Sequence, residues 1–177
     1  MGPCNELKDD FKPKKGKIYP LNPLQQNMLD EWIKEQLAKG YICPSKSPQA
    51  LPFFFVEKKD TKKLWPCQDY RYLNKFTKPN AYPLLLISDL MIKLKGSKYF
   101  TKLDIRWGYN NVHIKEGDEW KATFITNKGL FELTVMFFGL RNSPATFQAM
   151  MDDYFRDIVK VTFISLCFHS RSLTQVT

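Results

Sequence analysis

The spacing of apolar residues changes along this chain, and that change limits what it can fold into. From Pro23 to about Lys39, Leu24, Met28, Leu29, Trp32, Ile33 and Leu37 recur three and four residues apart, the pattern of one helical face. Asn22 is placed to cap this helix, Pro23 suits its first position and Gly40 suits its end. In "KYFTKLDI" the period falls to two. Tyr99, Thr101, Leu103 and Ile105 face one way, Phe100, Lys102 and Asp104 the other. "ALPFFFVEKKDTKKLWPCQDYRYLN" reads as two strands around a polar turn near Lys59 to Lys62, and "WKATFITNKGLFELTVMFF" as a hairpin turning at Asn127 to Gly129. Helical spacing returns in "ISDLMIKLKG", closed by Gly96, and in "SPATFQAMMDDYFRDIV". There Ser143 can cap, Pro144 can start, and Phe147, Met150, Met151, Tyr154, Phe155 and Ile158 form the apolar stripe. Strands and helices mixed in this irregular order predict an α+β protein built on antiparallel sheet.

Charge narrows the partners. Lys and Arg number 27 against 18 Asp and Glu, a formal net charge of +9. That balance favours polyanions, nucleic acid ahead of an anionic membrane surface. No apolar run is long enough to span a bilayer. Cys4, Cys43, Cys67 and Cys167 form no C-x-x-C pair, and His113 and His169 stand apart from any acid cluster. A zinc site or a disulfide framework therefore has little support. "MGPCNELKDD" lacks the apolar core of a signal peptide, and "LKDDFKPKKGKIYPLNP" reads as an extended basic arm.

Five segments carry a resemblance: "GKIYPLNP", "SKSPQALPFFFVEKKD", "QDYRYLNKFT", "YFTKLDIRWGYNNVHIKEGDEWKATF" and "VMFFGLRNSPATFQAMM". Together they resemble the reverse transcriptase of long-terminal-repeat retrotransposons of the Ty3/gypsy type, in that family's order and spacing from about Lys12 to Lys160. The resemblance implies a right-handed polymerase with fingers and palm. It divides the chain into a basic arm (1–22), fingers (23–78 and 112–141), part of the palm (79–111 and 142–160) and a tail unlike the family (161–177). It also implies an RNA or DNA template-primer and a deoxynucleoside triphosphate (dNTP) as partners, with other chains of the Pol polyprotein open as further ones.

Residue roles follow from the same resemblance. Asp104 matches the first catalytic aspartate, a ligand for two magnesium (Mg2+) ions, which take hard oxygen ligands. Ile105 would offer its backbone carbonyl to the second ion. Tyr109 matches the aromatic under the incoming sugar, Phe138 and Gly139 the strip beside the nucleotide, Pro144 a template contact, and Lys58 a lysine that reaches the triphosphate. By residue type alone, Asp104 would be a turn residue, Tyr109 and Phe138 core aromatics, and Lys58 a solvated charge.

The family pattern breaks in places. It supplies further carboxylates from an aromatic-x-Asp-Asp hairpin, whereas this chain has no Asp or Glu after Asp157. Asp152 and Asp153 fall on the polar side of their helix and are not expected to substitute. Trp65 stands where the family has a triphosphate-gripping arginine, and an indole carries one N–H and no charge. Leu85 and Arg141 depart from the family's usual proline and small residue. The expectation is a truncated, inactive polymerase copy, altered past Lys160 by a frameshift or an unremoved intron. The alternatives are a nucleic-acid-binding remnant without catalysis, or an unstable product.

Overall fold

The computed structural model describes residues 6–57, 63–83, 88, 92, 94–96, 98–99 and 105–156. The chain divides into two compact units: Met1–Pro79 with Tyr109–Ser143, and Asn80–Gly108 with Pro144–Thr177.

The first unit is organised around a sheet of five strands, in the order β1 (Ile42–Pro44), β5 (Gly129–Leu133), β4 (Phe124–Thr126), β2 (Leu51–Glu57), β3 (Leu64–Gln68). β2, "LPFFFVE", is rich in aromatic and β-branched residues that fit a pleated surface. It pairs antiparallel with β3, from Phe53 opposite Gln68 to Glu57 opposite Leu64. Pro66 lies on β3, an edge strand, where a missing N–H is tolerated. β4 and β5 form the expected hairpin, its turn held by the Lys128 N–H donating to Thr126 Oγ1 at 3.1 Å. β2 pairs with β4 in parallel, Leu51 opposite Phe124 and Pro52 opposite Ile125.

Helix α1 (Pro23–Ala38) begins with a capping box, in which the Asn22 and Gln25 side chains each accept the other's backbone N–H. It ends at Gly40 (φ 68°), where Gly40 and Tyr41 donate to the Leu37 and Gln36 carbonyls, the paired closing bonds of a left-handed terminus. Leu29, Ile33 and Gln36 are buried, whereas Leu24 and Leu37, in the terminal turns of the predicted stripe, are 63% and 39% exposed. Trp32 packs its ring 5.4 Å from Phe53 and 5.8 Å from Phe124. These join Leu51, Leu73, Phe131 and Leu133 in one core.

Two expectations are corrected in this unit and the next. The second strand run was expected to continue through "DYRYLN", but β3 stops at Gln68 and Arg71–Phe76 is a helix, α2. Asp69 forms the turn: its Oδ1 accepts the Arg71 N–H at 3.1 Å, and its carboxylate takes the guanidinium at 2.9 and 2.6 Å. The Arg71 guanidinium holds the Asp69 carboxyl below the usual carboxylate range. In the second unit, helix α3 (Ser143–Tyr154) buries Ala145, Gln148 and Met151, while Tyr154 is 77% exposed. Three-residue steps drift about 60° round a helix, so a line through 145, 148 and 151 carries Tyr154 out of the buried sector.

The segment before α1 is extended and stitched to the first unit. Leu7 bridges Thr77, Lys15 bridges Ala50, and the Gly16 N–H donates to the Ala50 carbonyl at 2.6 Å. A Cβ on Gly16 would fall 2.6 Å from Pro52 Cδ and 2.8 Å from the Ala50 oxygen, so the close approach needs glycine. Within "ISDLMIKLKG", Ser88, Ile92 and Leu94 are helical and Gly96 has φ 84°. The alternating run at 98–105 lies outside the described residues apart from Lys98, Tyr99 and Ile105.

Candidate nucleotide and nucleic-acid site

In the first unit, a short 3-10 turn (Gly108–Asn111) carries Tyr109 into the interior. The Asn110 side chain donates to the Met136 carbonyl at 3.3 Å, and the Met136 N–H donates to Val112 at 2.8 Å. These bonds set the turn against the segment leading to Phe138. The Tyr109 and Phe138 rings stand 4.7 Å apart, tilted by 54°. Tyr109 is only 5% exposed and Phe138 is 49% exposed, so Phe138 is the ring that meets solvent and Tyr109 backs it.

Gly139 follows with φ 100°, and a Cβ there would lie 3.0 Å from Tyr70 Cδ2. Asn74 on α2 holds this loop from both sides of its amide. Its Nδ2 donates to the Gly139 carbonyl at 2.7 Å and its Oδ1 accepts the Arg141 N–H at 2.9 Å. Arg141 in turn donates to the Asn74 and Thr77 carbonyls at 3.2 and 3.4 Å. A guanidinium at a helix C-terminus complements its exposed carbonyls, so this departure from the family pattern has a structural role. Asn74 and Tyr70 were not singled out from the sequence. Both lie in "QDYRYLNKFT", but nothing local reveals which loop they meet.

Tyr70 is buried and its hydroxyl has no hydrogen-bond partner among the described residues. Burial pushes its phenol pKa up. A buried unmade hydrogen bond costs about 1–3 kcal/mol. Tyr70→Phe is therefore expected to keep stability or raise it by about 1 kcal/mol in urea unfolding. A loss of similar size would show that the hydroxyl is bonded.

Trp65, on β3 opposite Val56, is 55% exposed. Lys58 lies outside the described residues.

In the second unit, Asp104 lies outside the described residues. Ile105 is exposed at 41% and Pro144, in the first turn of α3, is half-buried. Trp107 adopts φ 56°, a conformation costly for a bulky side chain. The next residue, Gly108, leaves 3.0 Å between an added Cβ and the Phe147 ring. The two carboxylates of α3 are engaged. Asp152 accepts from the Tyr82 hydroxyl and from Gln148 Nε2, both at 2.8 Å, and Asp153 pairs with Arg156. The bond to Asp152 pushes the Tyr82 phenol pKa up. Among the described residues no three His, Cys, Asp or Glu side chains converge as metal ligands. These residues alone do not fit a magnesium site.

The fold is shared with retroviral polymerases. Similar solved structures include the prototype foamy virus protease-reverse transcriptase (TM-score 0.74, 28% identity, 84% of this chain and 20% of that one). Another is the foamy viral protease-reverse transcriptase in complex with an RNA/DNA hybrid (TM-score 0.76, 19% identity, 94% and 22%), a likeness of fold alone. The family model described as "Reverse transcriptase (RNA-dependent DNA polymerase)" matches residues 56–170, reaching into the segment read as unlike the family. Among curated relatives, the Transposon Tf2-3 polyprotein of Schizosaccharomyces pombe is 42% identical over 130 residues, 73% of this chain and 10% of its own length. The Tf2-7 polyprotein of the same yeast is 37% identical over 161 residues, 89% of this chain and 12% of its own. The chain belongs to the reverse transcriptase family, as a domain of a retrotransposon polyprotein of the Ty3/gypsy type. It spans about a tenth of the length of these relatives.

Proposed function

We propose that this chain forms the fingers (23–78 and 112–141) and part of the palm (79–111 and 142–160) of an RNA-directed DNA polymerase. On this reading it binds an RNA or DNA template-primer but does not extend the primer unaided. The observation that carries the reading is the Tyr109–Phe138–Gly139 cluster, anchored by Asn74 in a chain whose family match spans 56–170. Phe138 would present its exposed face beside the nucleotide and Tyr109 would fix its tilt. Gly139 would leave room for close approach. Lys58 would reach the triphosphate and Pro144 the template. A nucleic-acid partner is supported by foamy viral reverse transcriptase structures described with an RNA/DNA hybrid and with double-stranded DNA.

Divalent metal is the family's expectation. Asp104 would give it a carboxylate and Ile105 a backbone carbonyl. Bound magnesium would neutralise triphosphate charge and acidify the primer hydroxyl. Asp152 and Asp153 are occupied as described, and no carboxylate follows Asp157 in this sequence.

The test is primer extension on a primed RNA, with magnesium and all four deoxynucleotides, beside an Asp104→Asn variant. The expected result is salt-dependent binding without extension in either protein. Extension that disappears in Asp104→Asn would overturn the inactive part of the reading. Absence of any binding in low salt would overturn the whole.

A further inference from the structure

The segment before α1 gathers lysines around α2. The Lys8 N–H donates to the Phe76 carbonyl at 2.9 Å, and the Tyr72 hydroxyl donates to the Lys12 carbonyl at 2.7 Å. Lys14 Nζ sits 5.4 Å above the Tyr72 ring and Lys75 Nζ 5.7 Å above Phe76. Phe11, Tyr72 and Phe76 form one cluster of rings, with centroids 6.1 Å (Phe11–Tyr72), 5.7 Å (Phe11–Phe76) and 5.0 Å (Tyr72–Phe76) apart, beneath the Lys14 and Lys75 ammonium groups. Lys12, Lys14 and Lys75 are exposed, and none joins an ion pair among the described residues.

Of the acids nearby, one is paired and three border the lysines on one side. Asp69 is taken by Arg71. Glu6, Asp9 and Asp10 lie toward the Lys8 end, and no acid occurs between Phe11 and Met28. The arrangement is pinned by backbone: Lys14 N–H donates to Gln49 Oε1 at 2.7 Å, its carbonyl accepts from Ala50 at 3.0 Å, and Gly16 donates to Ala50. Cations held over rings on a fixed backbone lose less freedom on binding than lysines on a loose tail.

We propose that Lys12, Lys14 and Lys75, set round the Tyr72–Phe76 rings, form a phosphate-binding platform for the sugar–phosphate backbone of nucleic acid. It is a second contact beside the Phe138 cluster, and it rests on the reading of this chain as one that binds nucleic acid. Asn74, which holds the Gly139 loop, is two residues from Tyr72 and so on another side of α2. Lysines act there as point charges on phosphate, so the platform reads no sequence.

Fluorescence anisotropy of a labelled single-stranded RNA, titrated with the full chain over a salt series, tests it. The variant is Lys12→Glu/Lys14→Glu/Lys75→Glu. The control, Lys34→Glu/Lys46→Glu/Lys115→Glu, makes the same change of net charge at exposed positions elsewhere in the first unit. The platform variant is expected to bind about tenfold more weakly than the control, with a logarithmic salt slope shallower by about 2, the value for three released contacts on a single strand. A neutralising version, Lys12→Gln/Lys14→Gln/Lys75→Gln, should show the same slope, and circular dichroism melts should match the wild type. Equal losses in platform variant and control would overturn the platform and leave the proposed function standing. A wild-type chain that binds no RNA would sink both. Unchanged RNA affinity with lost binding to phosphatidylserine vesicles would reassign the patch to a membrane surface and overturn the proposal.

Discussion

Phe124→Ala is expected to lower the unfolding free energy by about 3–5 kcal/mol, a large part of the 5–15 kcal/mol typical of a domain. Phe124 sits on β4, between β5 and β2, with no exposed surface. Its ring lies 5.8 Å from Trp32, 5.9 Å from Phe53 and 5.8 Å from Phe131, so truncation leaves a cavity bounded by three large rings. Those rings come from α1, β2 and β5, and a shift that closes the cavity at one would open it at another. Urea unfolding should show a lower midpoint with an unchanged slope. Phe124→Leu, which removes less volume, should cost less and remain measurable if the alanine variant does not fold. A loss below about 1 kcal/mol for alanine would place Phe124 outside the core.

Gly139→Ala is expected to cost about 1–3 kcal/mol from backbone strain alone, and to disturb the Phe138 loop as well. Its φ of 100° is outside the regions open to L side chains, and the new Cβ would press within 3.0 Å of the Tyr70 ring. That ring is buried and cannot swing into solvent. Gly40→Ala serves as the reference. Gly40 also has positive φ, at 68°, but nothing lies within 4 Å of an added Cβ. It should cost about 1 kcal/mol, and the excess at Gly139 combines its less favourable φ with the collision with Tyr70. Equal losses at the two glycines would mean that the loop relaxes away from Tyr70. The double variant Gly139→Ala/Tyr70→Leu should then recover nothing, whereas a real collision predicts partial recovery.

Helix α1 was legible from end to end because each of its signals is local. Asn22 and Gln25 close the capping box within four residues, and Gly40 takes the left-handed position that ends the helix. The β4–β5 turn and the β2–β3 pairing were legible for the same reason, since strand period and turn residues lie side by side. α2 was misread because "DYRYLN" also alternates. The decision for helix came from Asp69 gripping the Arg71 backbone and side chain, a contact that periodicity does not register.

The resemblance grouped Lys58, Tyr109, Phe138 and Gly139; the fold sets the Tyr109 ring against Phe138, the neighbour of Gly139, and Lys58 lies outside the described residues. It could not say which ring would face outward, because that depends on what lies behind each. Asn74 shows the same limit. Its two bonds to the Gly139 loop cross 65 and 67 residues of chain. Asp104 and Lys58 rest on sequence motifs. By itself, then, the sequence determined the family, the ends of α1, the two hairpins and the candidate residues, all carried by neighbours along the chain. The tertiary structure alone decided the parallel pairing of Leu51 with Phe124, the burial of Tyr109 behind Phe138 and the Asn74 clamp. Each of these forms only when segments far apart in sequence exclude water from between them, a free energy that no local pattern encodes.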